Sequence, residues 1–246
     1  MTPPAWLGRS LDRRENVVST MDECTAALRA GAPDGHVVVA RRQSGGRGRT
    51  GRAWHSADEG GLYLSFVLRG FDSAAAASGL TLAVGVGALD AVRALGVERA
   101  TLKWPNDVVV DGRKLAGILT SWVDGETPAS SGAVVGIGLN VAQASFPDKL
   151  APIASSVAIE TGRAREPGAV LSELLASVEA AVDSFRRDGL AWVVPAWSSR
   201  SDLWGRRARA GGVGGVLLRL APDGALVVRV DAGRAVPVTA DEVEIL

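Results

Sequence analysis

The stretch TLKWPNDVVVDGRKLAGILTSW, residues 101–122, carries the plainest structural signal in the chain. Two apolar, β-branched runs flank Asp111-Gly112, a pair that supplies the backbone angles of a tight two-residue turn, so the stretch predicts a β-hairpin. Lys103, Asn106, Asp107 and Lys114 lie on or near it. A turn this short lets the end of one strand and the start of the next face the same ligand, with Lys114 near Asp107. An ammonium is a compact point charge suited to a developing negative oxygen, and a carboxylate beside an amide suits Mg²⁺. Ordinary surface polarity would place the same residue types there. Composition leans the other way, because 24 of the 27 basic residues are arginine and only Lys103, Lys114 and Lys149 are lysine.

On either side of the hairpin the pattern alternates between strand and helix. HVVVA at 36–40 and LYLSFVL at 62–68 read as buried strands, and AVVGIGLNV at 133–141 as another, after a loop at 124–132. Thr20 and Glu23 have capping-box spacing and Gly31 supplies a stop, which predicts a helix over 21–30. Ala74–Leu95 predicts a buried helix in spite of three internal glycines, and the spacing of Leu171, Leu174, Leu175, Val178, Val182 and Phe185 predicts another over 168–188. Residues 1–15 read as an irregular lead-in. After residue 204 the chain turns to short strands with an Asp223-Gly224 turn, which predicts a small all-β barrel. The expected organisation is an α+β body over 1–203, a mixed sheet with helices, and a β appendix over 204–246.

The 246 residues carry 27 basic and 27 acidic side chains, so no global field drives the chain onto nucleic acid or an anionic membrane. One cysteine, Cys24, excludes an internal disulfide, and an alanine-rich helix around it reads as core. No apolar run is long enough for a membrane helix, and the first residues lack a signal-peptide core, so a cytoplasmic protein is expected.

GGRGRTGRAW, residues 45–54, concentrates charge locally. Arg41, Arg42, Arg47, Arg49 and Arg52 fall within twelve positions, and Gly45, Gly46, Gly48 and Gly51 let the backbone approach a ligand. Guanidinium forks match phosphate oxygens two at a time, and Trp54 adds an apolar wall. A solvated loop or an arginine-glycine segment touching RNA has a similar composition. RNA segments of that kind are long and repeated, whereas this one is short and lies between two strand patterns. Its spacing is not a P-loop, and Gly46 to Gly51 satisfies the dinucleotide pattern only by accident, since a strand rather than a helix follows.

Taken in order, GGRGRTGRAW, LYLSFVL, KWPNDV, GRKLAGIL and VVGIGLNV resemble the biotin protein ligases, from about Ser19 to Val141. The resemblance implies an enzyme that converts biotin and MgATP to biotinyl-5′-AMP and pyrophosphate, then passes biotin to one lysine of a biotin carboxyl carrier protein, such as that of acetyl-CoA carboxylase. It implies a catalytic domain like that of class II aminoacyl-tRNA synthetases and an SH3-like C-terminal barrel. Ser19, Thr20 and Gln43, with backbone at Gly46 and Arg47, would hold the biotin ureido group. Arg47, Gly48 and Arg49 would embrace the phosphate, Trp54 and Gly117 would line the pocket, and Asn140 would border adenine. Lys114 would stabilise charge during attack, with Asn106 and Asp107 as Mg²⁺ candidates.

This chain departs from the family pattern at Thr50, usually basic, and at Met21, often asparagine, and Ser44-Gly45 precede the loop's basic tail. A lipoate–protein ligase on the same scaffold is the nearest alternative, although it does not ordinarily combine GRGRxGR with KWPND. A DNA-binding regulator is the alternative from another class. About eighteen residues precede Ser19, too few for a helix-turn-helix domain, so a monofunctional form without DNA binding is expected. A homodimer, paired through edge strands, is compatible with the family.

Overall fold

The structure, a computed structural model, describes residues 5–56, 60–127, 130–231, 233–239 and 243–246. Seven strands form a mixed sheet in the order β1-β2-β3-β7-β6-β5-β4. They are β1 (Leu11–Val17), β2 (Val37–Gln43), β3 (Gly61–Leu68), β4 (Thr101–Lys103), β5 (Asp107–Val110), β6 (Arg113–Val123) and β7 (Gly132–Asn140). β1 and β2 are parallel, and every other neighbouring pair is antiparallel.

β3 lies mid-sheet with both faces covered, which is why it reads as an unbroken apolar run rather than an alternation. Its Leu62, Leu64, Phe66 and Leu68 join the main core with α2 (Leu80–Ala94) and α4 (Pro167–Asp188). On the other face Val67 packs with Val38, Val134 and the Met21, Cys24 and Leu28 side chains of α1 (Thr20–Arg29). Burial pushes the Cys24 thiol up to about 12, so it stays protonated and inert.

The predicted hairpin forms as expected. Asp111 and Gly112 both have positive φ, 48° and 78°, the signature of a type I′ turn. One residue is inserted in its ladder: Val108 faces Ala116 while Val109 faces Lys114, and this bulge redirects the strand at Lys114.

Four expectations need correction. Within the lead-in, Leu11–Val17 is a strand, the exposed sheet edge, whose charged sequence shows no alternation because pairing to β2 alone holds it. The cap of α1 is Ser19, whose hydroxyl accepts from the amide of Met21 at 3.3 Å, so the cap lies one residue before Thr20. The helix expected from Ala74 begins at Leu80, with Gly79 as its cap, a position packed so closely against Phe185 and Leu190 that a Cβ there would lie 2.6 Å from the Phe185 ring. A helix missed in LAWVVPAWS, α5 (Leu190–Ser198), packs against α2 and carries Pro195 in its interior.

Beyond α3 (Val157–Thr161), α4 and α5 comes a second, antiparallel sheet in the order β11-β10-β9-β8-β12. Its strands are β8 (Arg207–Ala210), β9 (Val213–Leu220), β10 (Leu226–Arg229), β11 (Ala235–Val238) and β12 (Val243–Ile245). The indole of Trp104, in the turn before β5, donates to the carbonyl of Gly224 at 3.2 Å and ties this sheet to the first.

Two glycines of α2 separate propensity from packing. A Cβ on Gly87 would lie 2.7 Å from the Ser177 carbonyl oxygen and the Val178 Cα of α4, whereas one on Gly85 would meet Leu102 at an ordinary 3.7 Å. Alanine improves helix propensity at both sites by about 1 kcal/mol, but a backbone clash costs roughly 1–3 kcal/mol. Urea denaturation should therefore show Gly85→Ala at least as stable as wild type and Gly87→Ala clearly less stable.

Candidate functional site

The arginine-glycine loop leaves β2 at Gln43 and folds back as a narrow backbone ladder. Gln43 N donates to Ser56 O at 2.9 Å, Trp54 N to Gly46 O at 2.9 Å, and Gly48 N to Arg52 O at 2.7 Å. The tip reverses at Thr50 and Gly51, with φ of 53° and 76°. Gly46 is required by contact rather than by dihedral, since a Cβ there would fall 2.5 Å from the Ser56 hydroxyl.

The ladder lays the half-buried indole of Trp54 against the sheet. Gly117 on β6 and Gly138 on β7 are cross-strand partners, and a Cβ on Gly138 would sit 2.4 Å from the ring. The Lys114 ammonium stands 5.1 Å from the ring centroid and 2.6 Å from Asp107 Oδ1. That oxygen and Trp54 Nε1 are both buried without a directed hydrogen bond, so the Lys114–Asp107 contact is a charge pair out of line for one.

Two cavities meet at this wall. The first is narrow, about 40 Å³, with Leu64, Ile118, Leu119 and Ile137 along its sides and Ser19, Thr20, Gln43 and Ser65 at a polar end. The second, about 370 Å³, is lined by Arg49, Arg52, His55, Lys103, Asp107 and Asn140 among others. Gly48, Trp54, Asn106 and Lys114 line both.

The polar end is a connected network. Thr20 donates to Gln43 Oε1 through its amide at 2.8 Å and its hydroxyl at 3.1 Å, and that hydroxyl lies 2.8 Å from the hydroxyl of Ser65. Gln43 Nε2 donates to the Ser56 hydroxyl at 3.3 Å. Met21 lies beneath, and a Cβ on Gly136 would be 2.8 Å from its sulfur.

The fold thus gathers the sequence-predicted residues, split between the two cavities. Ser19, Thr20, Gln43, Arg47 and Gly117 belong to the narrow one, and Arg49, Asp107 and Asn140 to the wider. Gly46 adjoins the Gln43 amide from within the ladder. Arg47 does not point at empty space: its guanidinium pairs with Asp22 in the first turn of α1. Arg52 reaches the wall of the wider cavity. Asn106 locks its turn to β6, its side-chain amide donating to Ile118 O at 2.9 Å while its carbonyl accepts from Ile118 N at 2.9 Å.

Sequence reading missed Ser65, which is fully buried, and the readable signal was a serine in the otherwise largely apolar strand GLYLSFVL. Among the described residues no cluster of three or more His, Cys, Asp or Glu could hold a metal, and no helix is long and apolar enough to cross a membrane.

Gly138→Ala should lift Trp54 off the sheet and open the ladder. Hydrogen exchange at the amides of Gly48 and Trp54 is expected to quicken by about tenfold or more.

Residues 17–140 match the model of the Biotin/lipoate A/B protein ligase family. The chain is 35% identical over 245 residues to the Biotin--[acetyl-CoA-carboxylase] ligase of Mycobacterium tuberculosis, covering 96% of this chain and 88% of that one. It is 31% identical over 206 residues to the Bifunctional ligase/repressor BirA of Bacillus spizizenii, covering 83% of this chain but 63% of that protein's length. Its fold superposes on a biotin protein ligase from Aquifex aeolicus, solved with biotin and ATP, at a TM-score of 0.82 and 26% identity, over 97% and 99% of the two chains. With the loop, the hairpin lysine and the buried polar pocket assembled on one sheet, the chain belongs to the biotin/lipoate A/B protein ligase family.

Proposed function

We propose that the chain is an ATP-dependent biotin protein ligase, which forms biotinyl-5′-AMP with release of pyrophosphate and then transfers biotin to a lysine of a biotin carboxyl carrier protein. The observation that carries the reading is the position of Lys114, whose ammonium lines both cavities. Two anionic substrates can approach each other only where a cation stands between their reacting atoms.

In this reading biotin enters the narrow cavity with its ureido group on Ser19, Thr20 and Gln43 and its carboxylate toward Lys114. ATP takes the wider cavity, its α-phosphate near Arg47 and Arg49, and Asn140 toward the base. The carboxylate oxygen attacks the α-phosphorus and pyrophosphate leaves. Lys114 gains interaction energy as charge builds on the phosphoryl oxygens, which is what lowers a barrier.

Asn106 and Asp107 offer one carboxylate and one amide, a donor set that fits Mg²⁺ carried in on phosphates rather than a caged metal. When bound, the ion would supply further neutralisation of the triphosphate.

The polar network also argues for biotin over lipoate. Thr20, Gln43 and Ser65 already bond one another, and a ureido group, with two N–H donors and a carbonyl acceptor, can add hydrogen bonds to that network where a dithiolane cannot.

The narrow cavity, about 40 Å³, is far below the roughly 300–1,000 Å³ of small-molecule sites, so in this reading ligand entry requires its lining to move. The exposed Arg47–Asp22 pair is weak enough to yield to a phosphate. The loop then acts as a lid that keeps water from the adenylate and reopens for the carrier lysine.

We read residues 1–203 as the catalytic domain, of the class II aminoacyl-tRNA synthetase type, and 204–246 as an SH3-like domain, acting in the cytoplasm on the carrier subunit of acetyl-CoA carboxylase. The antiparallel second sheet supports the latter.

Pyrophosphate release from ATP is expected with biotin and not with lipoate; equal turnover of both, or of neither, would sink the reading. Lys114→Ala should slow adenylate formation by about 10²–10³-fold while thermal unfolding changes little. Arg47→Ala should leak free biotinyl-AMP faster than wild type in a rapid-filtration assay.

A further inference from the structure

We propose that Glu160 is a positioning residue for Lys114, acting through the segment that completes the sheet beside it. The proposal rests on the reading of Lys114 as the cation between the two reacting groups. β7 pairs with β6 from Ala116 onward, so Arg113 and Lys114 project past its end. Residues 153–155 supply the missing partner: Lys114 N donates to Ile153 O at 2.8 Å, and Ser155 N donates to Lys114 O at 2.9 Å. This is a single parallel bridge, opposite the bulge in the β5 ladder. Two hydrogen bonds to a loop are a slender support for a group whose placement sets the rate.

Glu160 secures that support from both sides. Its side chain is only 4% exposed, although it belongs to a short surface helix. Oε1 accepts a hydrogen bond from the buried Ser155 hydroxyl, and the same oxygen accepts from Arg113 at 2.8 Å. Arg99 reaches the other oxygen at 3.3 Å. Glu160 therefore ties together Arg113, the residue before Lys114 in its strand, and Ser155, the loop residue whose amide donates to the Lys114 carbonyl. Asn140 completes the cross-link, its side-chain amide donating to Ser155 O at 2.9 Å and Lys114 O at 3.3 Å. Here the carboxylate joins the two backbone neighbours of Lys114, and a displacement of about 1 Å at a reacting group costs on the order of a hundredfold in rate.

The test is a double-mutant cycle on single-turnover adenylate formation from biotin and ATP, comparing wild type, Glu160→Ala, Lys114→Ala and the double variant, with biotin affinity measured in parallel. Glu160→Ala is expected to slow the step about tenfold with biotin affinity unchanged within about twofold, and to slow it less than about twofold in the Lys114→Ala background. Ser155→Ala, which removes one hydroxyl, carries the same comparison if Glu160→Ala does not fold, with a slowing that is likewise suppressed without Lys114. An unchanged rate, or equal slowing in both backgrounds, overturns the proposal while leaving the ligase reading intact. A wild-type protein that forms no adenylate overturns both.

Discussion

The indole of Trp54 can lie flat on the sheet only because Gly117 and Gly138, partners across β6 and β7, present bare backbone there. That bare patch is the constraint on which the site's geometry rests. With the ring seated, the loop ladder closes, Lys114 is placed between an aromatic face and a carboxylate, and one wall comes to serve two cavities. A methyl group at Gly138 would displace the ring by more than an ångström, and every one of those relations would change with it. The glycines of GIGLN are therefore a packing requirement, Gly136 against Met21 and Gly138 against Trp54.

Charge follows a similar economy. The chain is neutral overall, yet three carboxylates hold cations around the site: Asp22 holds Arg47, Asp107 holds Lys114, and Glu160 holds Arg113. The three pairs differ in burial, and burial decides their roles. Arg47 and Asp22 are each half-exposed, so water and salt screen them and a phosphate can compete. Glu160 is nearly dry, where losing a partner leaves an uncompensated charge, so it holds its neighbours in place.

Much of this was legible in the sequence. The hairpin declared itself through Asp111-Gly112, β3 through its unbroken apolar run, and the loop through its clustered arginines. What stayed hidden has physical reasons. LDRRENV is an edge strand, held by one neighbour and open to solvent, so burial never wrote an alternating pattern into it. LAWVVPAWS is too uniformly apolar, and interrupted by Pro195, to reveal a helical face. Ser65 sits in a run dominated by core residues, and only the fold reveals the hydroxyl of Thr20 opposite it. The capping frame slipped by one because Ser19 and Thr20 are both good caps, and the backbone chose between them. Glu160 carries no motif, because its partners lie 5, 47 and 61 residues away.

The parallel pairing of β1 with β2 has a consequence of its own. Parallel neighbours finish at the same end of the sheet, so Val17 lies beside Gln43, and the chain starts its return helix there. α1 therefore begins at the polar end of the narrow cavity, with Ser19 and Thr20 as its opening residues. A helix start carries a partial positive charge of about half an elementary unit, from backbone amides that lack partners within the helix. Strand direction alone thus sets the positive end of α1 beside that cavity, where Gln43 and Ser19 accept its first amides and Asp22 and Glu23 in the same turn offset the charge.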